Sequence, residues 1–196
     1  MKAGRLQAPA RAPLRVALVT REFPPETDWG GIGSFYDVFS HALVSAGCEV
    51  EVFCQALAEH GSTIDAGRLV HRLRVRRDLT GPEIGDPAGG NRDYGIFVYS
   101  LANRMFEAVA ARHREAPFDI IESHEHLGVG ALVNAAMGAD VATVVRFQGA
   151  YHTLVERSAV TWPVNDWIRI LEKQAIHAAA VRIAPSAFLD RAVQEA

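Results

Sequence analysis

The chain has 196 residues, 49 % of them hydrophobic, and a formal net charge of −3 from 20 basic and 23 acidic side chains. That apolar content excludes a disordered chain, and the charge balance lacks the basic excess on which bulk nucleic-acid binding depends. No apolar run reaches the roughly 18 residues that a membrane-spanning helix needs.

Residues 1–13 are basic and rich in Ala, Pro and Arg, without the apolar stretch of a secretory leader. They are read as a loose tail and the chain as cytoplasmic. Leu14–Thr20 is a Val-rich apolar run, the pattern of a strand buried in a parallel sheet. A loop over 21–31 follows, with two prolines and the pair Gly30-Gly31. Ile32, Phe35, Tyr36, Phe39, Leu43 and Ala46 recur at helical spacing, and Gly47 is a natural stop. Glu49–Cys54 is a second strand, with Cys48 and Cys54 read as reduced thiols. Arg68–Val75 is a third, near a sheet edge. Residues 78–95 hold five glycines and two prolines and are expected to form a mobile loop. A helix over Tyr94–Arg114, a strand over Phe118–Ser123, a helix over Leu127–Met137 and a strand over Val141–Phe147 come next. A helix over Pro163–Ala179 and a short strand over Val181–Pro185 close the series, and Ser186 is placed to cap a last helix. This alternation predicts an α/β fold: a doubly wound parallel sheet forming one Rossmann-like domain over 14–196. Ligands of such sheets bind beyond the carboxyl ends of the strands.

The turn Trp29-Gly30-Gly31-Ile32-Gly33 therefore falls at the ligand end, between the first strand and its helix. Backbone N–H groups at a helix start attract anions, and glycines let a phosphate approach. The same glycines also suit a tight turn with close packing of helix on sheet. A dinucleotide site is opposed by Tyr36, which stands where the third glycine of G-x-G-x-x-G belongs, and by Gln55, where the ribose-binding acid belongs. Ser34 is read as a cap of the helix.

His124-Glu125-His126 follows the fourth strand. Adjacent residues there diverge and no further ligand is evident, so a cleft edge that hydrogen-bonds hydroxyls is expected rather than a metal site. Arg72, Arg74 and Arg76 alternate along one strand face. They suit an anionic acceptor or a phospholipid surface, or a solvated edge that resists aggregation. Arg21 and Glu22 either pair or grip substrate. Trp29, beside the glycine pair, is placed to stack on a sugar.

Four segments then resemble glycosyltransferase family 4 enzymes, of GT-B fold. Val16–Gly33 has their apolar first strand, the pair Pro24-Pro25 and the glycine turn into the first helix. Phe118-Asp119-Ile120-Ile121-Glu122 is similar to their "FDVIE" strand. Val144–Gly149 is similar to their "VVxxHG" strand, and Ala184-Pro185-Ser186 to the "xIAPS" segment closing their N-terminal domain. Together these span about residues 14–196.

The resemblance implies a hexosyltransferase that moves a sugar from a nucleotide-sugar donor to a carbohydrate or lipid-linked acceptor with retained anomeric configuration. It implies no cofactor and no metal, the nucleotide-sugar being a substrate. This chain would be the N-terminal, acceptor-side half, and a C-terminal Rossmann domain, absent here, would bind most of the donor in cis or in trans. The chain alone is expected to be inactive and is read as a fragment or truncated product. Gly30, Gly31 and Arg21 would meet the donor phosphate or sugar, and Trp29, His124 and Arg146 the acceptor. Glu125, Gln148 and His152 would stand nearest the reacting centre. Gln148 occupies the place where many members have histidine. It hydrogen-bonds a hydroxyl but exchanges no proton near neutral pH, a task left to His152. The alternative is a non-catalytic module that holds a glycan or a partner chain. Peripheral membrane contact and homo-oligomerisation stay open.

Overall fold

The computed structural model describes residues 12–27, 30–58, 60–75, 90–150 and 166–194. These fold in the order β1 (Arg15–Val19), α1 (Gly31–Ser45), β2 (Glu49–Ala56), β3 (Gly61–Asp65), β4 (Arg68–Arg74), α2 (Gly90–Glu115), β5 (Ile120–His124), a 3₁₀ turn (His126–Gly128), α3 (Ala131–Met137), β6 (Ala142–Arg146), α4 (Asp166–Ala178), β7 (Val181–Ile183) and α5 (Ala187–Gln194). The seven strands form one sheet in the order β3-β4-β2-β1-β5-β6-β7. Every neighbouring pair is parallel except β3 with β4. The doubly wound α/β architecture is the one that the alternating sequence predicts.

The central strands are apolar on both faces because helices cover both. Val16, Leu18, Val50, Val52, Cys54 and Val70 pack under α1 with Tyr36 and Phe23. On the opposite face Ala17, Val19, Phe53 and Ile121 meet Leu101, Met105 and Val109 of α2 and Ile168 and Leu171 of α4. Both cysteines are free thiols, and burial pushes that of Cys54 up to about 12. Gly47, at φ 87°, ends α1 as expected, with Cys48 N donating to Leu43 O at 3.0 Å. Among the described residues no helix is long and apolar enough to cross a membrane.

Several expectations need correction. β3 was not foreseen; all its side chains are exposed, so it carries no alternating pattern. It joins β4 through Ala66 and Gly67, both at positive φ (45° and 84°), as tight hairpin turns require. β4 thus lies one strand in from the edge. Arg72 on it is no free basic side chain. It donates to Pro24 O at 2.6 Å and lies 3.9 Å from Glu26. Arg76 lies outside the described residues. The helix predicted from Tyr94 starts at Gly90, inside the segment expected as a loop. The helix expected from Leu127 begins only at Ala131, because Leu127 and Gly128 sit at φ 59° and 64°. Ser34 does not cap α1. The cap position is Gly30, and the Ser34 hydroxyl donates back to Gly30 O at 3.4 Å from within the helix. Ser186 does cap α5, its Oγ accepting Leu189 N at 3.3 Å.

Arg68, the largest of the fully buried side chains among the described residues, is only 2 % exposed. Its Nη1 donates to the Asp37 carboxylate at 2.7 Å and to Ser40 Oγ at 2.9 Å, both on α1. Its Nη2 pairs with Asp65 of β3, and its guanidinium lies 5.2 Å from the Phe23 ring centre. One side chain therefore ties the β3–β4 hairpin, α1 and the loop after β1 together.

Candidate functional site

The carboxyl ends of β1, β5 and β6 converge beside the start of α1. β1 delivers Thr20, Arg21 and Glu22. Thr20 N donates to Phe53 O at 3.0 Å, and the Thr20 hydroxyl to Glu22 O at the same distance, which turns the chain sharply. Thr27 closes the loop: its Oγ1 accepts Phe23 N at 2.6 Å and donates to Phe23 O at 3.0 Å. Arg21 Nε donates to Gln55 Oε1 at 3.2 Å, and Nη1 to Tyr94 at 3.4 Å. Gln55, the residue that opposed a dinucleotide site, here anchors Arg21.

The glycines of the turn divide into two physical roles. A Cβ on Gly33 would come within 3.0 Å of Thr27 O and 3.3 Å of Glu22 Cβ, so Gly33 serves packing. A Cβ on Gly31 would meet nothing within 4 Å among the described residues, so Gly31 is not held there by packing. A Cβ on Gly30 would lie 3.3 Å from Glu22 Oε2. That oxygen is buried and has no hydrogen-bond partner among the described residues.

β5 and β6 deliver the other wall. His124 is fully buried. Its Nε2 lies 3.4 Å from both Thr20 Oγ1 and Arg21 N, and its ring centre 5.8 Å from that of Tyr36. Burial, then His126 and Arg21, hold its pKa well below the usual histidine range. Tyr36 Oη and His124 Nδ1 are buried without partners among the described residues. Burial, followed by the nearby Glu122 carboxylate, pushes the Tyr36 phenol well above its usual range.

Arg146 grips Glu122 through Nε (2.6 Å) and Nη2 (3.1 Å), a bidentate pair between adjacent parallel strands. Its guanidinium also lies 5.1 and 5.0 Å from the ring centres of Phe35 and Phe39 on α1.

Glu125 is 1 % exposed, and its carboxylate accepts two successive backbone N–H groups. Gln148 N lies 2.9 Å from both of its oxygens, and Gly149 N lies 2.6 Å from Oε1. His126 Nδ1 donates to Gly149 O at 2.9 Å. The loop after β6 is thus stitched to the loop after β5 by two consecutive residues. Gly149, at φ 119°, supplies the backbone shape. Burial raises Glu125 to about 7 against the opposing effect of the N–H groups, and the Glu172 carboxylate adds to the rise. Glu172, on α4 and fully buried, accepts Leu127 N at 2.8 Å.

The structure therefore brings Glu125, Gln148, His124 and Arg146 to one end of the sheet, with Gly30, Gly31 and Arg21 across β1. Trp29 and His152 lie outside the described residues. Tyr36 and Glu172 are site residues that the sequence reading does not single out. Tyr36 fits the apolar stripe of its helix, and Glu172 fits an ordinary polar position, so periodicity carries no signal for either. Among the described residues no group of three or more His, Cys, Asp or Glu side chains is placed to hold a metal ion.

A Rossmann-like sheet with a glycine turn at its ligand end defines the class: a doubly wound α/β domain that takes its ligand beyond the strand ends. Residues 30–196 match the family described as glycosyl transferase 4-like domain. The chain belongs to that family. Solved structures agree at the level of fold. Sucrose-phosphate synthase from Thermosynechococcus elongatus is similar at TM-score 0.66 and 17 % identity, covering 93 % of this chain and 46 % of that one. Apo UGT2 of Phytolacca americana gives 0.52 at 12 % identity, covering 88 % and 46 %. A UDP-glucose: anthocyanidin 3-O-glucosyltransferase in complex with UDP gives 0.50 at 10 %, covering 92 % and 50 %. The chain spans about half the length of each of these structures. A comparison with curated protein sequences gives no match.

Proposed function

We propose that this domain is the acceptor side of a retaining glycosyltransferase, which moves a sugar from a nucleotide-sugar to an acceptor hydroxyl across a cleft closed by a second Rossmann-like domain. The observation that carries the reading is the uncrowded Cβ position of Gly31 among the described residues. A 15-residue helix starts there, and among the described residues nothing lies within 4 Å of where a Gly31 Cβ would stand; a helix N-terminus favours an anion. Gly30, Gly31 and Arg21 face the donor diphosphate in this reading, and Gln148 hydrogen-bonds a sugar hydroxyl. In the same reading Trp29 belongs to the acceptor side and His152 to the reacting centre. His124 and Arg146, one buried and one paired with Glu122, shape the floor beneath the acceptor.

In the reaction the bond from the anomeric carbon to the diphosphate breaks as the acceptor oxygen bonds to the same face, and the acceptor proton passes to the departing phosphate. The domain's share is positioning, worth several of the roughly 7–11 kcal/mol that oriented reactants can gain.

Calorimetric titration with nucleoside diphosphates and diphospho-sugars tests the reading, repeated for Gly31→Val. The expected outcome is weak binding, of about millimolar Kd, that the variant loses while keeping its melting midpoint. Equal binding by both proteins would overturn the placement of the donor at Gly31.

A further inference from the structure

We propose that Glu125 is a positioning residue: its buried carboxylate holds the loop that carries Gln148 by accepting the Gln148 and Gly149 N–H groups, and protonation of that carboxylate loosens the hold. Glu125 has no exposed face from which to meet a substrate. Both its oxygens are engaged by backbone at 2.6–2.9 Å. Successive N–H groups aimed at one point form an anion cradle, and here the chain's own carboxylate fills it. A charge-assisted hydrogen bond is about twice as strong as a neutral one, so losing the negative charge weakens every contact in the cradle at once.

The surroundings set when that happens. From α4, Glu172 faces Glu125 with a second carboxyl group. From α1, Tyr36 is close enough for its phenol to feel the Glu125 charge. His124 and His126 flank it in sequence, the first turned into the core and the second bonded to Gly149 O. The nearest cation on the adjoining strand, Arg146, is taken by Glu122. No guanidinium or ammonium group is bonded to Glu125 among the described residues, and burial brings its titration to about 7. Above that value the carboxylate is charged and the loop is held. Below it the loop relaxes.

The inference rests on reading the Gln148 loop as part of the site, but its test needs no ligand, so failure of sugar-nucleotide binding and failure of this proposal are separate results. The test is a pH titration of backbone amide resonances in the ¹⁵N-labelled 196-residue chain. The Gln148 and Gly149 amides are expected to shift together with a midpoint near neutrality. Glu125→Gln abolishes that transition and His126→Asn keeps it. Amides that do not titrate, or a transition lost in His126→Asn and kept in Glu125→Gln, would overturn the proposal. If Glu125→Gln does not fold, wild type and His126→Asn decide: a transition kept upholds the assignment, and one lost removes it.

Discussion

Glu51 and Glu125 are both buried glutamates, yet their environments drive them in opposite directions. Burial alone would raise each. At Glu51, His71 Nε2 at 2.8 Å and the Arg112 guanidinium at 2.9 and 3.0 Å reverse that, bringing it to about 2. Arg15 adds a further ion pair at 2.7 Å. At Glu125 the donors are neutral amides and the nearest charge is another carboxyl, so burial wins and it reaches about 7. Linkage gives opposite signs. Glu51 contributes stability that is present above its ordinary value of 4.5 and lost as pH falls toward about 2. Glu125, raised in the fold, contributes stability that is present below 4.5 and lost as pH rises through about 7. Melting midpoints followed across pH should show Glu51→Gln flattening the acid limb and Glu125→Gln flattening the decline toward alkaline pH. The cost of Glu51→Gln near neutrality is expected to be about 3–5 kcal/mol, the usual result of removing one partner from a buried charge cluster.

Among the elements, the 3₁₀ turn and the β3–β4 hairpin are where backbone shape outweighs side-chain pattern. Gly128 sits at φ 64°, and a Cβ there would come within 2.6 Å of the Leu171 backbone on α4. Gly128→Ala should destabilise by roughly 2 kcal/mol or more, read by denaturant unfolding, because strain and overlap add. Ala66, at φ 45°, is the reverse case. Ala66→Gly is expected to raise stability slightly, since a left-handed alanine costs roughly 1–2 kcal/mol. The same elements mark what the sequence could convey. β1 and β6 read clearly because burial on two faces favours apolar runs, while β2 and β5 read from Val and Ile residues beside buried polar ones. β3 did not, having no buried face and a turn without the Asn-Gly or Asp-Gly pair that announces a hairpin. The break at Leu127 was hidden because a left-handed leucine leaves no trace in periodicity.

At the scale of the molecule, the fold was legible because strand and helix alternate, and the ligand end followed from topology alone. The site was legible only in part. Gly30 and Gly31 announce themselves as glycines, but which one is uncrowded among the described residues and which packs is a tertiary fact, and it is Gly33 that packs. Glu125 was expected to touch a substrate. Its backbone partners lie 23 and 24 residues away, a separation that no local pattern encodes. Arg68 read as no more than the first residue of a strand, yet it fastens three parts of the chain. Its position has a consequence for the response to salt. Ions screen exposed pairs such as Arg104–Glu107, but they reach a side chain only 2 % exposed far less. Concentrated salt should therefore loosen the outer face of α2 while leaving hairpin, helix and loop fastened, so that the architecture around the cleft keeps its shape across ionic strengths that would alter any charged ligand's grip on it.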